Sequence, residues 1–350
     1  MAKEVRVVLW GLGIMGQGMA RMLSNKKGFQ IVGAIDLDDK KVGRKLYDVI
    51  GVEKSCINDI TIVNKPDEVI KKGLADIVMI ATSSFTKSVY AQIKFSIENK
   101  INVITTAEEM SYPKINDPEL SEDMDKLAKE NGVSILGTGI NPGFIMDYLV
   151  LALTGVCEDV TKIKVARVND LSCFGMAVME EQGIGLTKDE FITGVNEDRI
   201  AGHVGFMQSF GMFEEALNIK LDKVEQTKEP IITNVDRATE LVSVKAGNVA
   251  GCKQMGYGYI GDKVFIEMEH PQQIKPELEN LGTGDYINIE GKPNINLKNT
   301  PEIAGGIGTY AICVNMIPHV INSTPGLKTM LDLPIPVAIL GDVRDLIKNR

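Results

Sequence analysis

The stretch Val5-Arg6-Val7-Val8-Leu9-Trp10-Gly11-Leu12-Gly13-Ile14-Met15-Gly16 decides the fold of this 350-residue chain. Its first six residues are too apolar for a sheet with one wet face and fit a parallel strand buried on both sides. The glycines follow at once, and Met19, Ala20, Met22 and Leu23 then recur at helical spacing. A second apolar run, Ile31-Val32-Gly33-Ala34-Ile35, ends in Asp36, twenty residues beyond Gly16. A lone G-x-G-x-x-G means little in a chain with 34 glycines. Here a strand precedes it, a helix follows it and an acid closes the next strand, which is the setting the motif requires. Gly11 is expected to make the tight turn, Gly13 to admit a pyrophosphate to the backbone, and Gly16 to let the helix close on the strand. With Leu12, Ile14 and Met15 these glycines form a predicted dinucleotide-binding loop, whose helix N-terminus offers free N–H groups to the anion. Asp36 is placed to accept hydrogen bonds from the ribose hydroxyls. Asp38 and Asp39 would repel a 2′-phosphate, so NAD is expected; NADP stays open because Lys40, Lys41 and Arg44 are near enough to neutralise one.

Working outward, apolar strands are predicted at 60–63, 76–82, 101–106 and 133–136, with helices from Pro66, over 87–99 and over 117–130. Strand and helix alternate, which makes residues 1–143 an α/β Rossmann domain with a doubly wound parallel sheet. After Gly143 the pattern changes to period-two stretches such as Lys162-Ile163-Lys164-Val165, with helices near 187–197 and 207–217. Residues 144–300 therefore read as an α+β domain of mixed sheet, for substrate binding and oligomerisation. An apolar helix over 304–321 is expected to pack back, with the rest of 301–350, on the first domain.

Lys+Arg total 38 against 47 Asp+Glu, a net charge of −9, which argues against a nucleic-acid partner. Cys56, Cys157, Cys173, Cys252 and Cys313 are scattered singly and read as reduced thiols. His203, His270 and His319 stand too far apart for a metal site, and no G-x-S-x-G elbow is present. No apolar run reaches the roughly 18 residues of a membrane span. Met1 leads almost directly into the strand at Val5, so no signal peptide and no membrane partner are expected, and the chain reads as cytoplasmic.

The reactive end of a dinucleotide lies beyond the carboxyl ends of the later strands. Thr82, Ser83 and Ser84 suit the ribose and amide of the cofactor, and Thr106 stands at the end of the next strand. Glu108 and Glu109 follow it, as candidates for acid–base work or for holding a cation, or as helix-start charges. Asn141-Pro142-Gly143 form a turn whose N–H groups suit a carboxylate, with Pro142 placed to start a helix. Arg167 and Asn169 end an alternating strand, as substrate ligands or surface charges. His203 sits among small and apolar residues, His270 before Pro271 reads as a turn residue, and Asn315 is an amide inside an apolar helix needing a partner.

The glycine loop, Ala81-Thr82-Ser83-Ser84-Phe85-Thr86-Lys87, Thr106-Ala107-Glu108-Glu109, Gly137-Thr138-Gly139-Ile140-Asn141-Pro142-Gly143 and Gly305-Gly306-Ile307-Gly308-Thr309 resemble the 2,4-diaminopentanoate dehydrogenase family. That family belongs with the native amine dehydrogenases, and its fold is similar to that of dihydrodipicolinate reductase. The resemblance spans essentially the whole chain. It implies NAD(P)-dependent oxidative deamination of the C4 amine of 2,4-diaminopentanoate to 2-amino-4-oxopentanoate and ammonia, in ornithine degradation, by a homodimer or larger homo-oligomer. It carries the catalytic glutamate to Glu108 or Glu109. Homoserine dehydrogenases have a lysine where this chain has Glu109, and a carboxylate suits a cationic amine better than an alcohol. Relatives acting on simpler amines or ketones, a dihydrodipicolinate-reductase-like reductase and a non-catalytic NAD sensor are the alternatives.

Overall fold

The computed structural model describes residues 3–54 and 58–348. Cys56 lies outside the described residues. The chain divides into two units, one formed by the residues up to Phe144 together with those from Gly306, the other by Ile145–Gly305.

In the first unit β1 (Val5–Trp10), β2 (Phe29–Ile35), β3 (Ile77–Ile80), β4 (Asn102–Thr105), β5 (Ser134–Gly137) and β14 (Gly326–Lys328) form one sheet in the order β14-β5-β4-β3-β1-β2. All its pairings are parallel. The helices are α1 (Ile14–Ser24), α2 (Leu46–Ile50), α3 (Thr86–Glu98), α4 (Pro118–Asn131) and α9 (Gly305–Asn322). Every residue of β3 and β5 is buried, as expected of parallel strands covered on both faces. α4 stops where Gly132 adopts φ 71°, a left-handed cap.

Two expectations are corrected. Residues 60–63 make only single bridges, Ile35 to Val63 and Lys45 to Thr61, because Ile62 alone in that run is buried. The sixth place in the sheet is taken instead by Gly326–Lys328, beside β5. Pro66–Glu68 is one turn of 3-10 helix rather than the start of a longer one.

The second unit holds α5 (Tyr148–Thr154), α6 (Met176–Glu181), α7 (Lys188–Asn196), α8 (Phe206–Leu217) and a six-stranded mixed sheet. Its strands are β6 (Asp159–Asp170), β7 (Lys223–Ile232), β10 (Val249–Ile260), β11 (Lys263–Gln273), β12 (Gly284–Lys292) and β13 (Ile295–Asn299), in the order β13-β12-β6-β11-β10-β7. A separate hairpin joins β8 (Arg237–Ala238) to β9 (Ser243–Val244). Only β6 and β11 pair in parallel; the other neighbours are antiparallel. The two-residue period works as the sequence predicts. Ile163, Val165, Ile266, Met268, Ile287 and Ile289 are buried on one face, while Lys162 and Lys164 pair with Glu267 on the other. α8 lies close to the apolar face, where a Cβ on Gly256 would come within 2.8 Å of Phe206 and one on Gly258 within 3.1 Å of Phe210.

Along the buried face the rows turn from aliphatic to polar. Asp285 stands opposite Arg167, and their ion pair is almost wholly enclosed, with side chains 1% and 2% exposed. Replacing one partner of such a pair strands a charge in a medium that solvates it poorly. Asp285→Asn is therefore expected to cost about 3–5 kcal/mol in urea unfolding followed by circular dichroism. Glu197→Gln, which breaks the exposed pair with Arg199, should cost well under about 1 kcal/mol.

Candidate active site

The glycine loop closes as its spacing requires. Gly11 has φ 94°, and a Cβ there would lie 2.4 Å from the carbonyl oxygen of Ala81. A Cβ on Gly16 would lie 1.8 Å from the Gly11 carbonyl oxygen, so any larger residue would force α1 away from the loop. Gly13, by contrast, has nothing within 4 Å of where its Cβ would be. It is the N-cap of α1 and makes no side-chain cap hydrogen bond, so the first N–H groups of Ile14, Met15 and Gly16 have no capping side chain. An open cradle of N–H groups at a helix N-terminus fits a pyrophosphate. The Asp36 carboxylate accepts from the N–H of Leu12 at 2.7 Å and of Asp38 at 2.8 Å, and pairs with Lys41 at 3.2 Å. Lys41 also pairs with Asp38 at 3.4 Å, so this lysine is already held by two carboxylates.

Beyond β3, the Thr82 hydroxyl donates to Gln92 at 2.7 Å and the Ser83 hydroxyl accepts from the N–H of Phe85 at 3.3 Å. The Ser84 carbonyl accepts from the N–H of Glu109 at 3.1 Å, and Thr106 N–H donates to Ile80 at 3.0 Å. The two acids diverge. Glu109 accepts from the N–H of Thr86, first residue of α3, at 2.8 Å and from the side-chain amide of Asn116 at 3.1 Å. It caps α3 from outside the helix, because Phe85 at the N-cap has no oxygen to offer. Glu108 precedes it in the same 3-10 turn, half-buried. After β5, Thr138 has a buried hydroxyl without a hydrogen-bond partner. Asn141-Pro142-Gly143 form a turn, with a cis bond between Asn141 and Pro142. Pro142 does not start a helix as expected: α5 begins at Tyr148, where Asp147 accepts the first N–H at 2.6 Å.

In the second unit Arg167 and Asn169 are buried on one face of β6, and His203, partly buried, lies against His270. Arg167 is no surface charge; besides Asp285 it donates to the Ile303 carbonyl at 2.6 Å. The loop before α8 is fixed by Gln254, which accepts from His203 N–H at 2.8 Å and donates to its carbonyl at 3.2 Å. Burial, with the Arg167 guanidinium adding to it, pushes the His203 imidazole down to about 3. His270 was expected in a turn and lies instead within β11, buried. Its ring is 4.7 Å from that of His203, centroid to centroid. Pro271 has no N–H for the ladder, and the pairing of β11 with β6 lapses between Glu269 and Gln272. The Arg167 carbonyl in that gap is taken by His270 Nδ1 at 2.7 Å. A bond to a carbonyl makes Nδ1 the protonated nitrogen and leaves Nε2 an acceptor. Burial, His203 and Arg167 hold the His270 imidazole well below its ordinary value. Asn315 has its partner, accepting from Ile339 N–H at 3.2 Å.

Residues 144–349 match the family described as 2,4-diaminopentanoate dehydrogenase C-terminal domain, and residues 5–133 the one described as dihydrodipicolinate reductase, N-terminus. The 2,4-diaminopentanoate dehydrogenase of Acetoanaerobium sticklandii is 54% identical over 348 residues, covering 99% of this chain and 98% of the relative. This chain belongs to the 2,4-diaminopentanoate dehydrogenase family. The amine dehydrogenase of Streptomyces virginiae is 22% identical over 358 residues, with 96% and 98% coverage. An amine dehydrogenase structure from Mycobacterium smegmatis superimposes with a TM-score of 0.87 at 26% identity, covering 97% of this chain and 98% of that one. The family resemblance carried by the sequence blocks is thereby borne out. Among the described residues no helix is long and apolar enough to cross a membrane, and no group of three side chains could hold a metal ion.

The depressed histidines carry a pH signature. Above about pH 6.5 the unfolded chain leaves them neutral too, and nothing is lost. Below it the unfolded chain takes up a proton that folded His203 refuses until about pH 3. From His203 alone, stability at pH 5 should be lower by about 2 kcal/mol, with His270 adding in the same direction. Unfolding midpoints of the native chain and of His203→Gln at pH 7 and pH 5 check this; an identical acid slope in both would refute it.

Proposed function

We propose that this chain catalyses the NAD(P)-dependent oxidative deamination of 2,4-diaminopentanoate at C4, and the reverse reductive amination. The 54% identity with the A. sticklandii enzyme over nearly its whole length carries this reading. The proposal extends to ornithine degradation in the cytoplasm by a homo-oligomer, the setting that the family resemblance implies. A nicotinamide dinucleotide fits the first unit, with Gly11 to Gly16 and the α1 N-terminus at its pyrophosphate and Asp36 at its ribose. Thr82, Ser83, Ser84 and Thr106 are assigned to the nicotinamide half. NAD is preferred, since Lys41 is held by Asp36 and Asp38 and is not available to a 2′-phosphate.

When bound, the nicotinamide supplies the acceptor for the hydride leaving the amine-bearing carbon. The rest falls to the protein. The amine must first lose its ammonium proton, so that the nitrogen lone pair can push the hydride out. A water must then add to the resulting substrate iminium, and the nitrogen must regain a proton to leave as ammonia. One carboxylate can take the first proton and pass it to solvent, take a second proton from the water as it adds, and give that one to the nitrogen so that ammonia leaves as the carbonyl forms. We assign this to Glu108, because Glu109 is spent on the N–H of Thr86 and the amide of Asn116. Asn141, Pro142, Gly143, Arg167, Asn169 and His203 are assigned to substrate binding. Arg167 keeps donors beyond those given to Asp285 and Ile303, since a guanidinium has five.

Glu108→Gln should lower kcat with 2,4-diaminopentanoate by roughly 10²–10⁴-fold, the usual worth of a general acid–base, and leave cofactor affinity intact. Glu109→Gln keeps an oxygen toward Thr86 and should stay active, whereas Glu109→Ala should cost about 1 kcal/mol of stability through the lost cap. The reverse pattern, an inactive Glu109→Gln beside an active Glu108→Gln, would move the role to Glu109. Nicotinamide reduction followed by absorbance, with 2-aminopentane as a second substrate, separates a diamino acid enzyme from one acting on simple amines.

A further inference from the structure

Asn169 and Gln272 are register partners on adjacent parallel strands, so their side chains leave the same face of the sheet about 5 Å apart at the backbone. They are 3% and 8% exposed. The Asn169 Oδ1 and Gln272 Oε1 atoms are both buried, and neither has a hydrogen-bond partner. Two orphaned amide oxygens side by side are unusual, because folded interiors pair nearly all such groups. Neighbouring donors are committed elsewhere: two nitrogens of Arg167 to Asp285 and Ile303, and His270 Nδ1 to the Arg167 carbonyl. What is missing is a donor with several N–H or O–H groups.

We infer that Asn169 and Gln272 form the subsite that grips the non-reacting α-ammonium group of the substrate. The inference rests on the proposed substrate and deepens it. A primary ammonium carries three N–H donors and no acceptor, the complement of two unpartnered amide oxygens on one face of the sheet. One row back along both strands stand Arg167 and His270. Remaining guanidinium donors there can meet the carboxylate that an α-amino acid carries beside its ammonium. The ligand head enters as a zwitterion, so a neutral subsite suffices and no further buried carboxylate is needed. A simple amine has no such head. The pair is therefore a specificity element, separating diamino acids from monoamines, and it acts on binding rather than on the chemical step.

The test titrates the full chain, saturated with NAD, with 2,4-diaminopentanoate and with 4-aminopentanoate, which lacks only the C2 amine. The native protein is compared calorimetrically with Asn169→Leu and Gln272→Met, and KM is measured in parallel. Each variant should weaken 2,4-diaminopentanoate tenfold or more and weaken 4-aminopentanoate by a much smaller factor. Gln272→Glu, which restores an oxygen, should recover binding of the diamine; it also covers the case in which Gln272→Met fails to fold. Equal weakening of both ligands would make the pair structural, and no weakening of either would make water its only partner; both outcomes overturn the inference. If the native protein binds 2,4-diaminopentanoate without oxidising it, the proposed reaction falls while the ratio of affinities still decides the subsite. If the native protein does not bind it, both fall.

Discussion

A guanidinium cannot stay in a protein interior without an anion, and Arg167 has Asp285. Much of the second unit follows from that pairing. Asp285 accepts the N–H of Ile303 at 2.8 Å while Arg167 donates to the carbonyl of the same residue at 2.6 Å. The two members of the pair thus hold one peptide segment from both sides, shortly before α9. The pair also sets the electrostatics of its surroundings. Its positive member helps keep His203 and His270 neutral. The result is a buried region that is polar and nearly uncharged, in which neutral amides and imidazoles count for more than they would in water.

The first unit divides labour between adjacent acids in a comparable way. A helix that starts at Thr86 leaves N–H groups to be satisfied, and Phe85 cannot help. Glu109 supplies the missing acceptor from the end of β4, so the turn that presents Glu108 is fastened to α3. Two carboxylates in sequence are then not redundant. One fixes the loop, and its neighbour is carried at a defined place by that fixture. Chemistry that depends on a proton acceptor placed to within a fraction of an ångström benefits from such a fastening.

The parallel sheet was readable because strands buried on both faces leave unbroken apolar runs. Gly326–Lys328 was not, since three residues with a glycine and a lysine carry no period. Residues 60–63 look like a strand because Ile60, Ile62 and Val63 are apolar, yet only Ile62 is buried. The glycine loop and its acid were legible because backbone geometry dictates residue type there. His270 was misread for a local reason. A histidine before a proline has the composition of a turn, and nothing in the sequence says that its own ring takes the carbonyl the proline leaves unpaired. Gln272 carries no motif at all; its role emerges only from register, which sets it beside Asn169. The part Glu109 plays in the fold was hidden for the same reason, because the N–H that it accepts is 23 residues away in the chain.

The three histidines contribute less to proton chemistry than their residue type invites. A histidine serves as a general base when its pKa sits near the working pH. His203 is pushed down to about 3, and His270 lies well below its usual range with one nitrogen bonded to a backbone carbonyl. His319 is also lowered, by burial and by Lys348. Neither His203 nor His270 stores a proton near neutrality. Their value lies in the opposite property: a neutral imidazole kept deprotonated at one nitrogen is a fixed acceptor that does not change with modest shifts in pH. In the proposed reaction, proton transfer to and from the amine is then left to a carboxylate, and the substrate's remaining charges are offered groups held neutral or already paired.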